Sequence, residues 1–145
     1  FLRAVLLADG TVTSLISAFM GEGIDVITIE QGFIKMPDEL SFLGLEKDDP
    51  AFVRKVNLIG RTTNKRYASA ESLLNPALIG TDLFRALTDE GVGMGDVLRN
   101  NARGSFREII NIQDASTEIA QRTYAVYLDR HPSILITEAF IIDSF

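Results

Sequence analysis

The chain contains no cysteine, a single histidine, His131, and fewer cations than anions: 14 Lys and Arg against 20 Asp and Glu, a formal net charge of -6. Each shortage removes a class of function. Without cysteine there is no disulfide and no thiolate nucleophile, and with one imidazole a structural zinc centre or a Ser-His-Asp triad has little to be built from. The deficit of positive charge, with no run of Lys or Arg, argues against nucleic acid or an anionic membrane surface as a partner. No apolar stretch reaches the roughly 18 residues of a membrane span and no secretory segment is visible, so a cytoplasmic location is expected. Chemistry is left to carboxylates, arginines, tyrosines and backbone amides, and an anionic ligand must rest on a few local arginines.

What is present is a hydrophobic fraction of 46% against 23% charged over 145 residues. A chain of that size buries roughly 70% of the surface its unfolded form exposes, enough for one domain, residues 1–145, to fold around its own core. Disorder is excluded on the same ground.

Apolar residues Val12, Leu15, Ile16, Phe19 and Met20 recur at helical spacing behind Asp9-Gly10-Thr11, where Asp9 offers a cap, and Gly21 and Gly23 stop the helix. The β-branched run from Ile24 to Ile34 predicts a strand, followed by an acidic connector from Pro37 to Pro50. Strands are also predicted over Phe52–Ile59 and Tyr67–Leu74, joined by the turn-rich Gly60–Lys65. Asn75-Pro76 opens a helix with Leu78, Ile79, Leu83, Ala86 and Leu87 as its buried face, and a short helical turn through Val97, Leu98 and Asn101 follows Gly91, Gly93 and Gly95. Glycine this dense lets backbone amides approach a ligand. The last third reads as strands over Ser105–Ile112, Arg122–Leu128 and Ile134–Ile142, with a turn through Asp129–Ser133. Strands in neighbouring pairs with clustered helices give an α+β class with a mostly antiparallel sheet.

Two charges fall where apolar side chains belong. Strand alternation puts Arg54 on one face with Phe52, Val56 and Leu58, and Glu138 on one face with Ile134, Ile136, Phe140 and Ile142. A buried charge without a partner costs several kcal/mol, which leaves two readings open: a structural ion pair with each other or with neighbouring residues, or a ligand cavity on the concave face of the sheet. In the second, the arginine clamps a carboxylate and a glutamate kept partly protonated by burial delivers a proton. Arg107 and Arg122 also sit in strands, as rim or paired residues or as ligand contacts. Tyr124 reads as a core aromatic with a bonded hydroxyl or as a ligand contact, and His131 as a solvated turn residue. The Gly91 to Gly95 segment matches no phosphate-loop spacing, and Met20, Met36 and Met94 read as apolar fillers unless the backbone near Met94 binds ligand.

The ordered set Asp9-Gly10-Thr11-Val12-Thr13, Glu30-Gln31-Gly32-Phe33, Phe52-Val53-Arg54-Lys55-Val56, Ala70-Glu71-Ser72-Leu73, Met94-Gly95-Asp96-Val97-Leu98, Phe106-Arg107-Glu108-Ile109 and Ile136-Thr137-Glu138-Ala139-Phe140 resembles the chorismate pyruvate-lyase (4-hydroxybenzoate synthase) family over nearly the whole chain. The resemblance implies a six-stranded antiparallel sheet with helical flaps over an internal cavity. It also implies conversion of chorismate to 4-hydroxybenzoate and pyruvate without metal or organic cofactor, with a small-molecule substrate, chorismate or another aromatic carboxylate, as partner. Arg54 looks like the family's carboxylate-binding arginine, and Glu138 like the glutamate beside the departing ether oxygen. Val12 and Met94 stand where family members offer backbone amides to the carboxylate, and Arg107 matches a recurrent strand arginine. Elimination driven by aromatisation needs positioning and charge stabilisation and no nucleophile, which suits this residue inventory. The chain opens only a few residues before Asp9, so an N-terminal element covering the cavity is not expected. The same fold serves as the effector-binding domain of a class of bacterial transcription regulators, which implies as the alternative a non-catalytic small-molecule sensor with a DNA-binding helix-turn-helix upstream. A third possibility is a plain structural domain in which Arg54 and Glu138 are an ion pair and no cavity exists.

Overall fold

A computed structural model describes residues 1–7, 11–89, 93–101 and 105–145, without the side chains of residues 100 and 101. Six strands form one sheet: β1 (Ile24–Lys35), β2 (Pro50–Gly60), β3 (Arg66–Leu74), β4 (Phe106–Asp114), β5 (Ile119–Leu128) and β6 (His131–Ile141). Their order is β1-β2-β3-β6-β5-β4 and every neighbouring pair is antiparallel. The sheet is therefore two three-stranded meanders joined along β3 and β6. The crossover between them carries helices α3 (Pro76–Ile79), α4 (Thr81–Leu87) and α5 (Met94–Asn101), while α1 (Leu2–Leu7) and α2 (Val12–Met20) precede the sheet.

Registers follow from turn chemistry. Asn64 takes a positive φ of 58° in the β2–β3 turn, and Asp129 and Arg130 take φ of 48° and 68° between β5 and β6. Two consecutive left-handed residues are the geometry of a two-residue type I′ hairpin, whose twist matches that of the strands it joins. The turn is thus tighter than the Asp129–Ser133 span expected: His131 is exposed but already pairs with Leu128 as the first residue of β6.

Apolar side chains gather in three clusters. One packs α3, α4 and α5 on the sheet through Phe52, Leu74, Leu87, Leu98, Val126 and Ile134. A second packs α1 and α2 through Val5, Ile16, Leu58, Tyr67 and Phe140. The third lies on the other face of the sheet, where Leu43 and Leu45 cover Ala51, Leu73 and Leu135. The stretch from Pro37 to Pro50 is thus more than an acidic connector: a 3-10 turn, Ser41–Leu43, and a Leu40–Leu45 bridge fold its leucines inward.

The helices depart from expectation at particular residues. Thr11, extended at φ -71° and ψ 126°, is the N-cap of α2, and the expected Asp9 cap lies outside the described residues. Gly21, at φ 71°, ends α2 as read. Phe19 is 54% exposed rather than buried and stacks on Phe1. The helix expected from Asn75 is two helices, because Gly80 at φ 82° and ψ 155° breaks it, and Leu78 turns outward at the break. Leu2–Leu7 forms α1 and packs Val5 and Leu6 into the second cluster; none of its residues lines the cavity described below. Among the described residues no helix is long and apolar enough to cross a membrane.

Candidate functional site

The site begins with strand register. Arg54 on β2 pairs with Ser72 on β3, which pairs with Ile136 on β6, which pairs with Tyr124 on β5. Two residues along, the row runs Val56, Ala70, Glu138, Arg122. In both rows the β3 residue, Ser72 or Ala70, is the smallest, and its neighbours on β2 and β6 are larger. That difference in side-chain length leaves a hollow over β3.

The hollow is a cavity of about 70 Å³, several times the roughly 10–15 Å³ that a single water needs. Its sheet wall includes Arg54, Ser72, Ala70, Tyr124, Ile136 and Glu138, with Arg107 from β4 at its side. Its roof comes from Thr11, Val12 and Thr13 at the start of α2 and from Gly93 to Asp96 at the start of α5. Two helices thus begin on the cavity. The first N–H groups of a helix have no acceptor within it and carry the positive end of its dipole, so both beginnings favour an anion. A methyl group on Gly95 would stand 3.0 Å from the Thr11 methyl and 3.1 Å from the Arg107 guanidinium, so glycine lets α5 start this close to both.

The inward charges are each held. Arg54, 2% exposed, donates from Nη1 to the Leu87 carbonyl at 2.8 Å, a cation at the C-terminal end of α4. Glu138, 7% exposed, accepts at Oε2 from Arg122 Nε at 2.6 Å and at Oε1 from the Tyr124 hydroxyl at 3.1 Å. The Arg122–Glu138 pair is a direct cross-strand pair between β5 and β6. Arg122 also donates from Nη1 to the carbonyls of Val5 at 2.9 Å and Leu6 at 3.1 Å, at the C-terminal end of α1. Burial first, and then the neighbouring Glu138 charge, push the Tyr124 phenol far above its ordinary range. The Arg122 and Arg107 guanidiniums lie 5.0 and 5.6 Å from the Tyr124 ring centre, within cation–π reach.

Of the expected site residues, Arg54, Glu138, Val12, Met94 and Arg107 all line this one cavity. Gly91 lies outside the described residues, while Gly93 and Gly95 are on the roof. Glu138 is not alone in the wall: both its oxygens accept hydrogen bonds, one from a buried guanidinium. Tyr124 is both things the sequence left open, a buried aromatic with a bonded hydroxyl and a wall of the cavity. Arg122 takes the paired reading: it is fully buried and is the partner of Glu138. Among the described residues no group of three or more His, Cys, Asp or Glu is placed to hold a metal ion.

Residues 6–144 match the family described as chorismate pyruvate-lyase Rv2949c-like. The chain belongs to that family. No curated protein matches the sequence significantly. Among solved structures, PhnF from Mycobacterium smegmatis is similar with a TM-score of 0.68 at 16% identity, over 94% of this chain and 66% of that one, so this chain spans slightly under two thirds of the full PhnF. The separately solved effector domain of PhnF gives 0.67 at 16% identity over 94% of this chain and 91% of the domain. A GntR-family transcriptional regulator from Bacillus cereus gives 0.58 at 13% identity, over 84% of this chain and 94% of that one. At these identities the likeness is one of fold. Family and fold together make this an α+β domain with an open six-stranded antiparallel sheet.

Proposed function

We propose that this chain converts chorismate to 4-hydroxybenzoate and pyruvate without a cofactor, in the cytoplasm, and that residues 1–145 act as one domain. The observation that carries this reading is the meeting of Arg54, Glu138 and two helix beginnings on one small cavity in a member of a chorismate pyruvate-lyase family.

The reaction is balanced within the substrate. The ring loses hydrogen from the carbon bearing its hydroxyl and loses its bond to the ether oxygen; the enolpyruvyl fragment gains hydrogen and leaves as pyruvate. No net proton is exchanged with the protein, and aromatisation supplies the driving force. The site's task is to orient a dianion and to stabilise charge that develops on the departing oxygen. Arg54 fits the ring carboxylate, since its guanidinium can give two parallel hydrogen bonds, and the N–H groups of Val12 and Met94 complete that end. Glu138 stands two residues along the wall, at the reacting oxygens. With both oxygens accepting hydrogen bonds, it is placed to take the proton leaving the hydroxyl-bearing ring carbon and to give it to the enolpyruvyl fragment, within reach of the Tyr124 hydroxyl. Arg107 fits beside the second carboxylate, on the enolpyruvyl arm.

A second reading, ligand binding without turnover, draws on the fold shared with the effector domain of PhnF. One experiment separates the two. Purified protein is mixed with chorismate, and 4-hydroxybenzoate and pyruvate are followed by chromatography. Stoichiometric release of both, abolished in Glu138→Ala, supports the lyase. Binding of 4-hydroxybenzoate with no release of pyruvate would overturn it in favour of the sensor.

A further inference from the structure

Arg122 touches the cavity only through other groups, yet it is among the most deeply buried long side chains of the molecule. Its guanidinium bridges two parts of the fold that are remote in sequence. Nε holds Glu138 Oε2 at 2.6 Å, and Nη1 holds two carbonyls in the last turn of α1, Val5 at 2.9 Å and Leu6 at 3.1 Å. The chain that leaves α1 returns as Thr11, Val12 and Thr13, the roof of the same cavity. Tyr124, one strand position pair away, fixes the other oxygen of Glu138.

We infer that Arg122 is a positioning residue: its planar fork sets the Glu138 carboxylate in its working orientation and makes that orientation depend on α1 being docked. The inference rests on the lyase reading above and deepens it. A guanidinium suits the task and an ammonium does not, because the donors of a guanidinium diverge in a fixed plane and can serve a carboxylate on one edge and carbonyls on the other. Loss of the fork leaves the carboxylate free to rotate about its side-chain torsions. Misplacement of a reacting group by about 1 Å can lower a rate about a hundredfold.

The test is a double-mutant cycle on the full chain, using Arg122→Met, Glu138→Gln and the pair, with kcat and KM for chorismate and the active fraction counted by 4-hydroxybenzoate titration. Arg122→Met is expected to lower kcat per active site about a hundredfold with little change in KM, because Arg54 and the helix beginnings still hold the ring carboxylate. In the Glu138→Gln background the same substitution is expected to have little further effect, since the group it positions is gone. Additive losses, or an unchanged kcat per active site in Arg122→Met, would overturn the inference. If Arg122→Met does not fold, Arg122→Lys carries the test: a kcat between wild type and Glu138→Gln supports the fork, and a wild-type kcat overturns it. Wild-type protein that binds 4-hydroxybenzoate without turning over chorismate sinks the lyase reading alone. The cycle is then read on affinity, where additivity overturns positioning and non-additivity supports it. Wild-type protein that neither binds nor reacts overturns both.

Discussion

Arg54 and Glu138 present the same physical problem, a charge inside a sheet protein, and each is met by a different device. Arg54 is steadied by a helix carbonyl at Leu87, which orders the guanidinium. It lines the cavity, where its fork can meet a ligand carboxylate. Arg54→Ala is expected to weaken 4-hydroxybenzoate binding by about 2 to 5 kcal/mol, the usual effect of truncating one partner of a buried charge pair, and titration calorimetry reads it directly. An unchanged affinity would remove Arg54 from the site. Glu138 is neutralised by Arg122 and oriented by Tyr124. Tyr124→Phe removes one hydroxyl and almost no volume, so it is expected to leave the protein folded while lowering kcat. A kcat equal to wild type would make the Tyr124 hydroxyl a packing partner and nothing more.

At the scale of elements, turns and caps decide where the chain reverses, and much of this was legible. All six strands lie close to where alternation and β-branched runs place them, because a half-buried strand imposes period two on its residues. The same alternation exposed Arg54 and Glu138. Applied to β5 it also marks Arg122, which is in step with Ala120, Tyr124, Val126 and Leu128, all buried. What alternation could not supply was the partner, since that depends on the register between β5 and β6. Nor could it show α1, only six residues long and stabilised by carbonyls that find Arg122 across the fold. The turn between α2 and β1 offers an acid-sensitive clamp. Glu22 accepts from the Tyr67 hydroxyl, from the Thr62 and Thr63 amides and from the Thr63 hydroxyl, and these bonds, Tyr67 first, lower its carboxyl to about 2. A depressed folded-state value means that the contribution is complete above the ordinary value of 4.5 and is lost as pH falls toward 2. Thermal melts between pH 5 and pH 2 are expected to fall less steeply in Glu22→Gln than in wild type; parallel curves would show that Glu22 contributes nothing. In the β5–β6 hairpin, Asp129-Arg130→Asn-Gly places residues that tolerate positive φ at both turn positions and is expected to raise stability by up to about 1 kcal/mol in urea melts.

For the whole molecule, the two clusters on the helix-covered face make the cavity a seam. Helices α3 to α5 anchor one side of it, and α1 and α2 the other. Core changes away from the seam should cost stability without changing recognition. Leu74 is fully buried in the first cluster and does not line the cavity. Leu74→Ala is expected to destabilise by about 2 to 5 kcal/mol in denaturant melts while leaving 4-hydroxybenzoate affinity near wild type in the folded protein. A large loss of affinity with little loss of stability would show that the seam is not mechanically separate from the core.

The hollow exists because β3 carries Ala70 and Ser72 between longer neighbours, and this makes its capacity asymmetric under mutation. Substituting Val or Leu at either position shrinks the chamber in graded steps, whereas almost nothing remains on that strand to whittle away. Selection for a smaller guest can therefore act on the floor, but selection for a bulkier one has to act on the ceiling, at the first residues of α2 and α5. Variation among relatives that prefer larger rings is accordingly expected at Thr11–Thr13, Met94 and Asp96, with the β3 pair kept small.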